Sequence, residues 1–204
     1  MSVTEGQVHG QGQFWIQDGD EPPPVDSWDQ SNGLIFTATV GAVVLTGPAL
    51  GPIAVTLDVR PDDPGLTDLG AEWDDIVEVS VHCEEGPLRL CGLEQGFVPG
   101  LPALDSAGPG DYRVRVHVTG RDTPTRDADG FPRAADRFLI RCWPAPVQPP
   151  LLIRLTDQWG LGARLSWVDK PDPPQAPAPA ERRPKPTTRP DSWPPSGASQ
   201  IGAV

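Results

Sequence analysis

The side chains best placed to do chemistry are carboxylates set close together: Asp18-Gly19-Asp20-Glu21, Asp62-Asp63, Asp74-Asp75 and Glu84-Glu85. Paired carboxylates serve general acid–base catalysis only at a fixed separation, and they hold calcium only within a loop of defined ligand positions. Asp18-Gly19-Asp20 lacks that twelve-residue pattern. The acidic runs therefore read as loop carboxylates, and their functional reading is a face offered to a basic protein through steering and phosphate mimicry. His9, His82 and His117 are far apart, without the reinforcing spacing a metal needs. His82 and His117 take the outward phase of their strands and are expected to be solvated. There is no nucleophile elbow, Gly-rich phosphate loop or CxxC. The expectation is a chain without catalytic residues, cofactor or metal.

Cys83, Cys91 and Cys142 make an odd set. The opening residues MSVTEGQVHGQG carry neither a basic start nor an apolar stretch, so reduced thiols and a cytoplasmic location are expected. Cys83 and Cys142 fall on the inward phase of their strands, where a thiol behaves as a small hydrophobe. Among the tryptophans, Trp73 and Trp143 read as core or rim anchors. Trp15 and Trp28 flank the acidic, Pro-rich loop Asp18–Asp26, where an exposed indole would suit an interface. The candidate partner-binding set is thus Trp15, Asp18, Asp20, Glu21, Asp26, Trp28, Asp62, Asp63, Asp74, Asp75, Glu84 and Glu85.

Charge is unevenly spread. Residues 1–111 hold 19 acidic side chains against two basic ones, Arg60 and Arg89, whereas residues 112–170 hold six against ten. The net charge of −12 therefore belongs to the first part of the chain. Such a surface repels nucleic acid and suits a basic protein, including one that itself binds nucleic acid. No run approaches the roughly 18 apolar residues of a membrane span.

The elements that must position these residues are strands. Ile53, Val55, Leu57 and Val59 alternate with Ala54, Thr56, Asp58 and Arg60. Val77 to Cys83, Tyr112 to Thr119 and Phe138 to Trp143 repeat the same period of two. Pro61-Asp62-Asp63-Pro64-Gly65 and Glu85-Gly86-Pro87 break the pattern with turn chemistry. Apart from a short stretch near Thr67–Asp74 or Trp159–Trp167, nothing keeps a helical period. Eight or so short strands with polar outer positions imply an all-β fold, an antiparallel β-sandwich, with an open barrel as the alternative.

The expected organisation is a flexible N-terminus at 1–6, a β-sandwich domain at 7–167 and a disordered Pro-rich tail at 168–204. From Pro171 to Val204, 10 of 34 residues are proline, and such a segment buries too little apolar surface to offset the entropy of ordering it. Its Arg182-Arg183-Pro184-Lys185-Pro186 has the form of a polyproline ligand.

The order of features resembles the competence protein J family, also called the DNA-entry nuclease inhibitor family. The residues that carry the likeness are a Phe-containing first strand, the Pro-Pro loop to Pro24-Val25-Asp26-Ser27-Trp28, and the Gly33–Thr39 strand. Glu84-Glu85-Gly86-Pro87, Pro109-Gly110-Asp111-Tyr112-Arg113-Val114 and Phe138-Leu139-Ile140-Arg141-Cys142-Trp143-Pro144 complete it. The resemblance covers roughly residues 10–155. It implies an inhibitor that binds a nuclease and covers its DNA groove. The functional expectation is a non-catalytic acidic binding protein, an inhibitor or immunity-like partner of a basic protein such as a nuclease or toxin. The alternative is a small-ligand or carbohydrate-binding sandwich that uses Trp15, Trp28 or Trp73 for stacking.

Overall fold

A computed structural model describes residues 2–24, 29, 31–67 and 69–168. Within them the chain forms β1 (Ser2–Gly10), β2 (Gln13–Asp18), β3 (Ile35–Thr37), β4 (Ala42–Leu45) and β5 (Gly51–Val59). There follow β6 (Asp75–Cys83), β7 (Leu88–Gly92), β8 (Gly96–Phe97), β9 (Gly110–Thr119), β10 (Thr125–Arg126) and β11 (Pro132–Arg133). The run closes with β12 (Arg137–Pro144), β13 (Leu151–Leu155) and α1 (Gln158–Val168).

Two sheets face each other. One has the order β1-β5-β12-β9-β6-β13, the other β3-β4-β2-β7-β8, while β10 and β11 form a separate hairpin. Neither sheet closes into a barrel among the described strands. Every pairing is antiparallel except β5 with β12, which run parallel.

The alternation read from the sequence fixes which face is which. Val55 and Leu57, Val77 and Val79, Val114 and Val116, and Phe138 and Ile140 project from the larger sheet into the core. They meet Phe14, Ile16, Ile35, Val44 and Leu90 from the smaller one. Phe14 and Phe138 join the sheets edge to face, with ring centroids 5.2 Å apart. Each such fully buried side chain contributes about 1.5–3 kcal/mol relative to leaving it in water. Cys83 and Cys142 are part of this core, and all three cysteines are free and buried.

The outer face of the larger sheet departs from expectation. Arg113, Arg115 and His117 do point away from the core, yet all three are buried. Segments 60–67, 69–74 and 145–150 lie over them as a roof, and arginines pin it down. Arg115 donates to the Gly65 carbonyl at 2.6 Å, and Arg154 to those of Gly70 and Trp73, both at 2.8 Å. Arg113 reaches the Gln148 carbonyl at 3.0 Å. Beneath the roof, Glu78 accepts Arg113 Nε at 2.9 Å and Arg115 Nε at 2.8 Å. His117 is therefore not a solvated sheet-face histidine. Its ring packs edge-on against Trp73 at 5.6 Å.

The segment 1–6, read as flexible, is from Ser2 onward part of β1, which pairs with β5 over its whole length. Its signal is weak because its inward positions are Thr4, Gly6, Val8 and Gly10, of which only Val8 carries an apolar side chain. The Pro-rich tail lies, from residue 169, outside the described residues. The second of the two possible helices is present as α1. Asp157 caps it, accepting Gly160 N at 2.5 Å, and Asp122 accepts the Gln158 and Trp159 amides, both at 2.8 Å.

Arg121 locks α1 to the sheets. It is fully buried, donates to Asp157 at 2.5 Å and to Asp75 at 2.9 Å, and also reaches the Gly33 carbonyl at 2.9 Å. Gly160 is required by this crowding. A Cβ there would lie 2.6 Å from Asp75 Oδ2 and 2.7 Å from Arg121 Nη2.

Candidate docking surface

The acidic residues singled out in the sequence do not share one face. Five of them meet at one end of the sandwich, where β2 ends and β6 turns into β7. Asp18, at the end of β2, is buried and works from below. Its Oδ2 accepts Glu84 N at 2.7 Å and Glu85 N at 3.1 Å, and its Oδ1 accepts Gly86 N at 2.6 Å and the Cys83 thiol at 3.4 Å. Burial works to raise the Asp18 pKa, but the three N–H groups and the thiol outweigh it and hold the carboxyl below its usual value. The same burial, with Asp18 beside it, pushes the Cys83 thiol up to about 12, so this thiol is not a nucleophile at neutral pH.

Above Asp18, two acidic loop segments border a concavity of about 470 Å³. Asp20 and Glu21 come from the loop after β2, Glu84 and Glu85 from the turn after β6, and all four are exposed. Among the described residues no cation forms an ion pair with any of them. At the same end, His82 pairs with Asp111 at 2.7 Å, and Asp105 accepts the Leu88 amide at 2.9 Å.

The other candidates lie elsewhere. Asp62 and Asp63 are exposed on the roof segment, with Asp63 3.8 Å from Arg115. Asp74 accepts Thr119 Oγ1 at 2.8 Å and Gly120 N at 3.1 Å. Asp75 is fully buried, bound to Arg121 and to the amides of Thr156 and Asp157. The nine residues of β6 hold Asp75 about 30 Å from Glu84, at roughly 3.3 Å per residue. Trp15 is half-buried on the outer face of the smaller sheet, in a cross-strand row with Phe36, Val43, Cys91 and Phe97. Asp26 and Trp28 lie outside the described residues.

Sequence reasoning missed the buried ionic groups. The Arg113–Glu78–Arg115 cluster sits at outward positions that alternation alone assigns to solvent. The available signal was the recurrence of Arg at alternate positions, Arg113 and Arg115, on a strand whose other face is all Val and Tyr. Trp73 borders a groove of about 640 Å³ together with Glu5, Gln7, Thr56 and Arg137. Its ring is engaged by His117 and by the Arg137 guanidinium, 5.9 Å from the centroid. Among the described residues no group of three His, Cys, Asp or Glu is arranged to hold a metal ion. No helix among them is long and apolar enough to cross a membrane.

No family model matches the chain, and no curated protein matches it. Two solved structures are similar to it. One is ComJ, inhibitor of the DNA degrading activity of NucA, from Bacillus subtilis, at 16% identity and a TM-score of 0.46, over 71% of this chain and 96% of that one. The other is crocagin biosynthetic gene J, at 15% identity and a TM-score of 0.41, over 72% of this chain and 100% of that one. The resemblance drawn from the sequence falls on the first.

Proposed function

We propose that the chain is a non-catalytic binding protein whose acidic end docks a basic protein. One observation carries the reading. Asp20, Glu21, Glu84 and Glu85, from two separate loop segments, stand exposed around one concavity without a pairing cation among the described residues, on a base that Asp18 holds fixed. Four like charges kept close repel one another. A fold keeps such an arrangement at a cost in stability, which an incoming cationic surface relieves. Preorganisation by Asp18 also lowers the ordering entropy that docking would otherwise cost.

A nuclease is the partner class that fits best. Its substrate groove is cationic because it holds phosphates, and carboxylates at fixed positions imitate that charge. The sequence resemblance to nuclease inhibitors points the same way. The test is DNA cleavage by purified endonucleases encoded in the same genome, with and without the full chain, at low and high salt. The reading expects one of them to be inhibited, and inhibition to weaken as salt rises. Inhibition of none, or inhibition indifferent to salt, overturns it.

A further inference from the structure

The edge strand β1 carries an unfilled row of backbone groups. In its pairing with β5, His9 stands opposite Pro52, which has no N–H to give, so this is a pair without mutual hydrogen bonds. The groups of His9 therefore point away from β5, and by alternation so do those of Val3, Glu5 and Gln7. The loop after β7 confirms the direction. Gln95 Oε1 accepts the His9 amide at 2.9 Å, and Gln95 Nε2 donates to the Gln7 carbonyl at 3.3 Å. The primary amide of Gln95 thus occupies the edge at its Gly10 end as a short strand would. At the other end, among the described residues, the N–H and C=O of Val3 and Glu5 have no partner. Val3 is 58% exposed. The register runs through all nine residues without a bulge, and β1 contains no Pro and no Lys, the usual devices that close an edge.

We infer that the Val3–Glu5 edge of β1 takes up an extended, cationic segment of a partner protein as an added antiparallel strand, with a basic side chain opposite Glu5. A second copy of this chain fits less well. Self-pairing centred on Glu5 sets Glu5 against Glu5, which is unfavourable. In the adjoining register, Val3 of one copy against Glu5 of the other, self-pairing stops at those two residues, because Gln95 holds the edge groups of Gln7 and His9 in each copy. The sign of the partner's charge rests on the proposed function above, but the surface is a different one, and Glu5 is the charge that selects.

The probe is an acetylated, amidated heptapeptide Thr-Val-Arg-Val-Arg-Val-Thr, added to the isotopically labelled full chain while amide exchange is followed by NMR. Controls carry Glu for Arg, or N-methyl groups on alternate amides. The expected result is at least tenfold slower exchange at the Val3 and Glu5 amides with the Arg peptide. No protection is expected with the N-methylated one, and a weaker effect with the Glu peptide. Glu5→Pro removes the outward N–H without touching the β1–β5 ladder and abolishes the effect, whereas Glu5→Lys reverses the preference between Arg and Glu peptides. Neutralising Asp20, Glu21, Glu84 and Glu85 leaves it in place, so failure here is distinct from failure of the acidic end. Protection absent at β1, surviving in Glu5→Pro, or replaced by self-association of the chain through β1 overturns the inference.

Discussion

The carboxylate of Asp18 and the backbone amide of Gly86 lie 2.6 Å apart although 68 residues separate them in sequence. That bond, with its companions to Glu84 and Glu85, converts a turn after β6 into a fixed platform tied to the end of β2. Asp18→Ala leaves three N–H groups without their acceptor, and a loss of about 1–3 kcal/mol is expected by chemical denaturation. Exchange of the Glu84, Glu85 and Gly86 amides should quicken ahead of the rest of the molecule.

The same carboxyl gives a pH signature. Its folded pKa is below the unfolded value near 3.8, so its stabilisation is present above that value and is lost as pH falls through the folded pKa. Asp18→Asn should remove this part of the acid limb, seen as a shallower fall of stability below about pH 4 than in the parent.

His117 titrates in a different window. Burial first, then the neighbouring Arg141 and Arg115, push its pKa down to about 3 from 6.5. The unfolded chain therefore binds the proton first as pH falls. The neutral ring's contribution is whole above pH 6.5 and declines by about 1.4 kcal/mol per pH unit towards the folded value. Among the described residues neither ring nitrogen has a partner in full hydrogen-bonding geometry, although the Leu69 backbone lies near enough to favour the proton slightly, so His117→Leu should fold with near-parental stability at neutral pH. The difference between parent and variant should grow in the variant's favour between pH 6 and pH 4, measured by urea midpoints.

Arg121 is the opposite case, a buried cation on which two buried carboxylates depend. Arg121→Met leaves Asp75 and Asp157 facing each other without their partner and should cost about 3–5 kcal/mol. Adding Asp75→Asn and Asp157→Asn to that variant should recover part of the loss, and thermal unfolding of the series would show whether it does.

Much of this could be read from the sequence, and the parts that could not have a common cause. Tyr112, Val114, Val116 and Val118 were legible as one buried face because alternation is a local property of a strand. Arg113, Arg115 and His117 read as the outward face, and of these His117 as solvated, because alternation gives direction and not cover. The cover comes from Pro61-Asp62-Asp63-Pro64-Gly65, which reads only as a turn, and from Gly70 and Trp73, in a stretch whose sequence allows a short helix. The acidic runs were visible as composition. Their division into an exposed group around Glu84 and a buried one around Asp75 depends on which loops fold back on which strands. Asp18 and Asp20 look alike in sequence, yet one scaffolds the turn and the other faces solvent.

One titration tests the role of the acidic end most directly. Parent chain and the variant Asp20→Asn, Glu21→Gln, Glu84→Gln, Glu85→Gln would be titrated against an endonuclease that the parent inhibits, at low salt, with circular dichroism confirming that both are folded. Four exposed charges at an interface amount to roughly 1.4–3 kcal/mol, so the variant should bind about ten- to a hundredfold more weakly. Equal affinity in the two proteins would contradict the account.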